Sequence, residues 1–88
     1  MPVDIVDVRL LGGTRLHLRF DDGVEGDVDI AQMVGFDGVF APLRQADEFA
    51  RVTVNPEIGT ICWPSGADLD PSVLYSRITG APLPGQGG

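Results

Sequence analysis

The chain has 88 residues, of which 43% are hydrophobic, and its formal net charge is −7. This length excludes a second core, because a domain of this size buries only about 60–65% of its unfolded surface. Thirteen carboxylates, six Arg and no Lys argue against a nucleic-acid surface, which needs a dense cationic footprint. The acidity is compatible with a basic protein partner, or it merely keeps a small domain soluble.

The cysteine content, the N-terminal residues and the apolar runs of the chain indicate its cellular compartment. A single cysteine, Cys62, cannot form an internal disulfide, which favours a reducing compartment. The N-terminal residues include aspartates where a signal peptide would be basic and then apolar. No apolar run reaches the ~18–20 residues of a membrane span. We therefore expect a cytoplasmic protein without a membrane segment, and a homo-oligomer is compatible with this sequence.

The first thirty residues predict a three-stranded antiparallel meander. Apolar and polar side chains alternate in segments 3–11, 15–20 and 24–30, and Gly-containing turns separate these segments. In the first segment the alternation places Val6, Val8 and Leu10 on one side of a half-buried strand. In the other two segments, the predicted inward residues are Leu16, Leu18, Phe20, Val24, Gly26, Val28 and Ile30.

The register of the second and third segments follows from their inward residues, which must oppose one another. Phe20 opposite Val24 satisfies this condition and leaves the three-residue loop 21–23, closed by Gly23 at positive φ. On the outer face this register pairs Arg19 with Glu25, His17 with Asp27, and Arg15 with Asp29. His17 stands between two arginines of its own strand, an environment that disfavours its protonated form.

Short helical segments and a second hairpin are predicted next. In chain order these are a helical turn at 30–34, a loop at 36–39, two helical turns within 40–50, a strand at 51–54, an Asn-Pro turn at 55–59 and a strand at 60–63.

The last predicted element is a helix that starts after Asp70. Asp70 is a favourable N-cap residue, and Pro71 suits the first helical position. The helix ends near position 78, and its predicted buried residues are Leu69, Val73, Leu74 and Ile78. Gly80 stops the helix, and residues 80–88 predict a disordered Pro/Gly-rich tail. The chain is thus predicted to be one α+β domain, 1–79, with a small antiparallel sheet, a second hairpin and short helices.

Residues 59–75, GTICWPSGADLDPSVLY, form the most specific stretch of the chain. The pattern G-T-x-x-W-P-x-G-A-D-x-D-P-x-x-L-Y resembles the signature of a small bacterial family, the domain of unknown function 2442. The preceding meander and the Val-Phe-x-Pro-Leu segment at 39–43 are similar as well, so the resemblance covers about residues 3–78. It implies an α+β domain with an antiparallel sheet and brings no catalytic residues.

The resemblance also suggests a context for function. Some members of that family carry a helix-turn-helix domain after this one, which we do not expect in the few residues after Gly80. Other members lie next to small basic proteins, in arrangements interpreted as toxin–antitoxin pairs. The resemblance therefore implies an acidic, antitoxin-like partner of a small basic protein.

The candidate interaction or ligand corner comprises Trp63, Pro64, Ser65, Gly66 and Asp68. Trp63 either offers an aromatic face beside a turn with free amides or packs as the largest apolar residue of a small core. Asp68 and Asp70 resemble the start of a calcium loop, but the later ligands are missing. We expect Asp68 to hold the turn through backbone amides, and Asp70 with Pro71 to form a structural helix cap.

Catalysis by Cys62 and His17, the single cysteine and histidine, would require them within hydrogen-bond reach. His17 is predicted on the polar face of the meander, and Cys62 points away from its large apolar neighbours. We predict no enzyme, no metal and no cofactor, since a Cys/His cluster and a Gly-rich phosphate loop are both missing. Two hypotheses remain: a protein-interaction module that binds a small basic protein, and a regulatory sensor that binds a small ligand at Trp63. We expect neither to contact nucleic acid directly.

Overall fold

The structure, a computed structural model, describes residues 3–80 and has the predicted α+β architecture. Its elements are β1 (Ile5–Gly12), β2 (Arg15–Phe20), β3 (Glu25–Asp29), 3-10 helices at Ile30–Gln32 and Gly38–Arg44, α1 (Ala46–Phe49), β4 (Thr53–Asn55), β5 (Thr60–Cys62) and α2 (Pro71–Thr79). The first three strands form an antiparallel sheet in the order β1-β2-β3, and β4 pairs with β5 in a separate hairpin. Of the predicted tail only Gly80 lies within the described residues. No helix in the described range is both long and apolar enough to cross a membrane.

The pairing of β2 with β3 has the predicted register. The N–H of Phe20 donates to the carbonyl oxygen of Val24 at 2.8 Å, and Gly23 donates back to Phe20 at 3.1 Å. Gly23 has φ of 90°, which suits a residue without a Cβ. Leu18 then opposes Gly26, as expected. The register is fixed because a slip by one residue would turn the apolar face outward.

β1 differs from the predicted alternation because its pairing with β2 shifts by one residue twice. One shift lies between Ile5 and Asp7, and the other lies between Leu10 and Gly12. An extra residue at such a bulge has no partner across the ladder. Ile5 is consequently buried, whereas 47% of Val6 is exposed. The prediction that Val6 lies on the apolar, buried side of the strand is therefore wrong.

The core lies between the inner face of the meander, the β4–β5 hairpin and the helices. Its buried hydrophobic members are Ile5, Leu16, Leu18, Phe20, Val28, Ile30, Leu43, Phe49, Ile61, Trp63, Ala67 and Leu74. From α2, Leu74 is fully buried and Ile78 packs partly against the core, as does Leu69 just before the helix. The predicted burial of Val73 is wrong, since this side chain is 39% exposed on the outer side of the helix.

The second 3-10 helix between the two sheets begins earlier than predicted. The second 3-10 helix starts at Gly38, inside the segment 36–39 that we expected to be a loop. The first 3-10 helix is capped by Asp29, whose Oδ1 accepts from the N–H of Ala31 at 3.1 Å. The residues that this helical connection between the two sheets buries are Ile30, Leu43 and Phe49.

Both ends of α2 have hydrogen-bonded caps. Asp70 Oδ1 accepts from the N–H of Ser72 at 2.8 Å, and Pro71 occupies the first turn. At the other end Gly80 has φ of 75°, and its N–H donates to the carbonyl of Ser76 at 2.7 Å. These contacts satisfy backbone groups that a helix end leaves without partners.

Replacing Asp70 by Ala should lower the free energy of unfolding by about 0.5–2 kcal/mol, because the Ser72 amide then loses its acceptor. Urea denaturation of the two proteins measures this difference. Asp70→Asn is the matched control, since Asn caps a helix about as well as Asp. Equal losses in both variants would show that charge, and not the cap, is responsible.

Candidate functional site

The indole of Trp63 lies inside the domain. The residue is only 3% exposed, and its Nε1 donates to the backbone oxygen of Phe49 at 2.9 Å. The two aromatic rings are 5.6 Å apart between centroids. The aromatic face considered as a ligand platform is thus in contact with the core in this structure.

The exposed part of the predicted corner is the turn that follows Trp63. Gly66 donates to the carbonyl of Trp63 at 2.9 Å, and Trp63 donates to the carbonyl of Ala67 at 3.0 Å. These backbone bonds close the turn in place of the expected bonds to the Asp68 carboxylate. Asp68 instead forms an isolated bridge with Cys62 through the backbone, and its side chain is exposed.

Exposed carboxylates lie on this corner, on the β2–β3 loop and on the residue before β1. We call this group the acidic end, and its members are Asp4, Asp21, Asp22, Asp68 and Asp70. Only the last two of them, Asp68 and Asp70, were singled out from the sequence. The other three come from distant parts of the chain, so their proximity depends on the tertiary fold.

Short contacts connect the segments that contribute to the acidic end. The N–H of Asp21 donates to the carbonyl of Asp4 at 2.9 Å. The side chain of Asp4 lies against Gly59, where an added Cβ would be 2.7 Å from the Asp4 carboxyl carbon. The next residue, Thr60, donates through Oγ1 to the carbonyl of Leu69 at 2.6 Å. Leu69 is flanked by Asp68 and Asp70, which completes the connection.

Asp22 also joins the acidic end to α2. The hydroxyl of Tyr75 donates to Asp22 Oδ2 at 2.6 Å, and the Tyr75 ring packs edge-on against Phe20 at 5.0 Å between centroids. The hydrogen bond from Tyr75, together with that from the N–H of Val24, lowers the pKa of Asp22. The same bond to Asp22 raises the pKa of Tyr75. Sequence patterns gave no signal for this contact, which spans 53 positions.

His17 bridges two carboxylates on the outer face of the meander. Its Nδ1 lies 2.7 Å from Asp27 Oδ1, and its Nε2 lies 2.9 Å from Glu25 Oε1. Hydrogen bonding to Asp27, and secondarily to Glu25, raises the pKa of His17. The prediction of a disfavoured proton is therefore wrong, because carboxylates in direct contact outweigh the more distant arginines of the same strand.

This bridge should make stability depend on pH. Because the pKa of His17 is raised above its ordinary value of 6.5, the contribution is complete below about pH 6.5 and is lost as pH rises through the folded-state pKa. As pH rises through the folded-state pKa, we expect the free energy of unfolding of the wild type to fall by up to about 1 kcal/mol relative to that of His17→Gln. Urea denaturation at several pH values measures the difference, and parallel pH profiles would contradict the bridge.

The structure does not bring Cys62 and His17 together. His17 belongs to β2 and has both ring nitrogens in contact with carboxylates. Cys62 lies in the β4–β5 hairpin, where its Sγ is 3.9 Å from Thr53 Oγ1. Within residues 3–80, no group of three or more His, Cys, Asp or Glu side chains is arranged to hold a metal ion.

An open groove lies between the first 3-10 helix and α2. It has a volume of about 430 Å³ and is lined by Met33, Val73, Ser76, Arg77 and Gly80. Arg77 spans the groove wall, since its Nη2 donates to the carbonyl of Gln32 at 3.3 Å. This groove was not predicted from the sequence, because Val73 was expected to be buried.

The fold and the corner define a small α+β domain with an acidic end. A family model described as "Protein of unknown function (DUF2442)" matches residues 5–80, and the chain belongs to this family. The family resemblance seen in the sequence is thereby confirmed. No curated protein and no solved structure matches the chain.

Proposed function

We propose that this chain is a protein-interaction module of a bacterial cytoplasm whose acidic end binds a small basic protein. In this proposal the chain is the antitoxin-like member of a two-protein system. The observation that carries it is the gathering of five exposed carboxylates from three parts of a chain whose net charge is −7. A field of this sign accelerates the encounter with a cationic partner.

The placement of the cationic side chains supports the same proposal. Arg44 donates to the carbonyl of Phe36, and Arg51 lies 3.6 Å from Glu48. Both contacts are in the connection between the sheets, which contributes no residue to the acidic end. These two arginines therefore do not neutralise the acidic end, within which Asp22 and Asp70 already accept hydrogen bonds from Tyr75 and Ser72.

The proposal assigns no catalytic role and no direct contact with nucleic acid. Phosphate groups would be repelled by the acidic end, since nucleic-acid binding depends on cationic contacts. A sensor that binds a small ligand at the Trp63 corner is the weaker proposal, because the Trp63 indole is already packed and hydrogen-bonded. A ligand screen followed by fluorescence of this single tryptophan distinguishes the two.

Affinity capture from the native host tests the proposal. We expect the tagged chain to recover a small protein rich in Lys and Arg at about 50 mM salt, and to release it at about 500 mM, because screening shortens the reach of the charges. Purified components should show slower association as salt increases. Recovery of the chain alone, or of DNA, would contradict the proposal.

A further inference from the structure

Among residues 3–80, no backbone hydrogen bond reaches the outer edge of β1 beyond Ile5, although the β4–β5 hairpin lies close to this strand. β2 pairs with one edge of this strand, while across the other edge Ile5 donates to the carbonyl of Gly59 at 2.8 Å. Beyond Ile5 the strand carries large exposed hydrophobic residues, namely Val6, Leu10 and Leu11. An exposed apolar edge strand is a template for pairing with another strand.

The backbone groups on this edge follow from the register. The N–H and carbonyl of Phe20 bond to Val24 and Gly23, on the β3 side of β2. The N–H and carbonyl groups of Arg19 and His17 therefore point the other way, toward β1. The backbone N–H and carbonyl groups of their partners, Asp7 and Arg9, therefore point toward β2. Because the peptide unit is planar and trans, the groups pointing outward are the carbonyl of Val6, the N–H and carbonyl of Val8, and the N–H of Leu10.

We propose that β1 pairs antiparallel with β1 of a second copy, about a two-fold axis at Val8. In this register each Val8 N–H donates to the Val8 carbonyl of the other copy. Each Leu10 N–H likewise donates to the Val6 carbonyl opposite. The outward groups are thus self-complementary and form four hydrogen bonds, which joins the two meanders into one six-stranded sheet.

Charge selects this register over its neighbour. With the axis at Val8, Asp7 of each copy is directly opposite Arg9 of the other copy. With the axis at Arg9, the two Arg9 side chains would oppose each other, and like charges in that position destabilise a strand pair. Opposite charges placed symmetrically about Val8 therefore fit a second copy of this chain better than an unrelated strand.

The same features limit the interface to a short stretch. The pairing shifts at Val6 and at Leu11 bound the regular part of β1, and Gly59 occupies the edge at Ile5. Such bulges at an edge protect against extended aggregation. A contact of about five residues on each strand buries less than a standard interface, so we expect a weak dimer that depends on concentration.

Sedimentation equilibrium of the full chain tests the inference. Between about 10 µM and 1 mM the average mass should rise from 9.4 kDa toward twice that value. Arg9→Asp and Asp7→Arg should each raise the dimer dissociation constant at least about tenfold, because like charges then oppose each other. An equimolar mixture of the two variants should regain the dimer, since Arg and Asp are again opposed.

Two controls separate the interface from the fold. Asp47→Arg makes the same charge change as Asp7→Arg, but on α1, and should leave the dimer intact. Val8→Pro removes an outward N–H, which leaves the ladder to β2 complete, and should abolish the dimer while the thermal unfolding remains cooperative. A wild type that stays monomeric at 1 mM, or a mixture that stays monomeric, would overturn the inference.

Discussion

Trp63→Ala is expected to lower the free energy of unfolding by about 3–5 kcal/mol, the largest single effect in the domain. The substitution removes a ring that is 3% exposed and packed against Phe49, and it leaves a cavity in a small core. Urea denaturation followed by circular dichroism measures the loss. A protein of unchanged stability that has lost binding would instead establish Trp63 as a ligand platform.

Trp63→Phe separates packing from hydrogen bonding at the same position. Phenylalanine keeps most of the apolar contact with Phe49 but removes the Nε1 donor that now lies 2.9 Å from the Phe49 carbonyl. The Phe49 carbonyl still accepts from the N–H of Val52 at 3.3 Å, so losing the indole hydrogen bond should cost about 0.5–1.5 kcal/mol. We therefore expect Trp63→Phe to lower the free energy of unfolding by less than Trp63→Ala does, but by a measurable amount.

Gly26→Val should lower the free energy of unfolding by about 1–3 kcal/mol through overpacking. A Cβ at Gly26 would lie 2.6 Å from Cγ2 of Ile78, so the Ile78 side chain or α2 would have to shift. The effect is measured by urea denaturation, with the slope of the transition checked for two-state behaviour.

The matched test of this contact is a double-mutant cycle with Ile78→Ala. Removing the branched side chain of Ile78 creates the space that a residue at position 26 requires. Gly26→Val should therefore cost less in the Ile78→Ala background, with a coupling energy of about 0.5–3 kcal/mol. Equal costs in the two backgrounds would show that α2 does not pack on Gly26.

Sequence reasoning predicted the meander, its register and the caps of α2 because these depend on local rules. The alternation in β2 and β3 allows one register that keeps Leu18 and Phe20 inward, and the structure has this register. Asp70 and Pro71 have the residue types that begin a helix, and α2 begins there. In both cases the decisive information lies within a few positions of the chain.

The remaining features depend on contacts between distant residues. The bulge at Val6 is not visible in the alternation, because it arises where Ile5 must reach Phe20 in the core. The pKa of His17 was predicted in the wrong direction from its own strand, since the carboxylates that raise it belong to β3. The acidic end likewise escaped detection, because Asp4 joins Asp21 only after β1 pairs with β2.

Charge reversal at the acidic end tests the proposed function most directly. Asp21→Lys with Asp68→Lys reverses two exposed members of the acidic end, whereas Asp37→Lys with Asp47→Lys makes the same charge change elsewhere. Both double variants have the same net charge, so a general electrostatic effect is equal in the two. We predict that the first weakens binding of the captured basic protein at least about tenfold, mainly in the association rate, while the second has a much smaller effect. Equal weakening by the two variants, or none by either, would contradict a binding site at the acidic end.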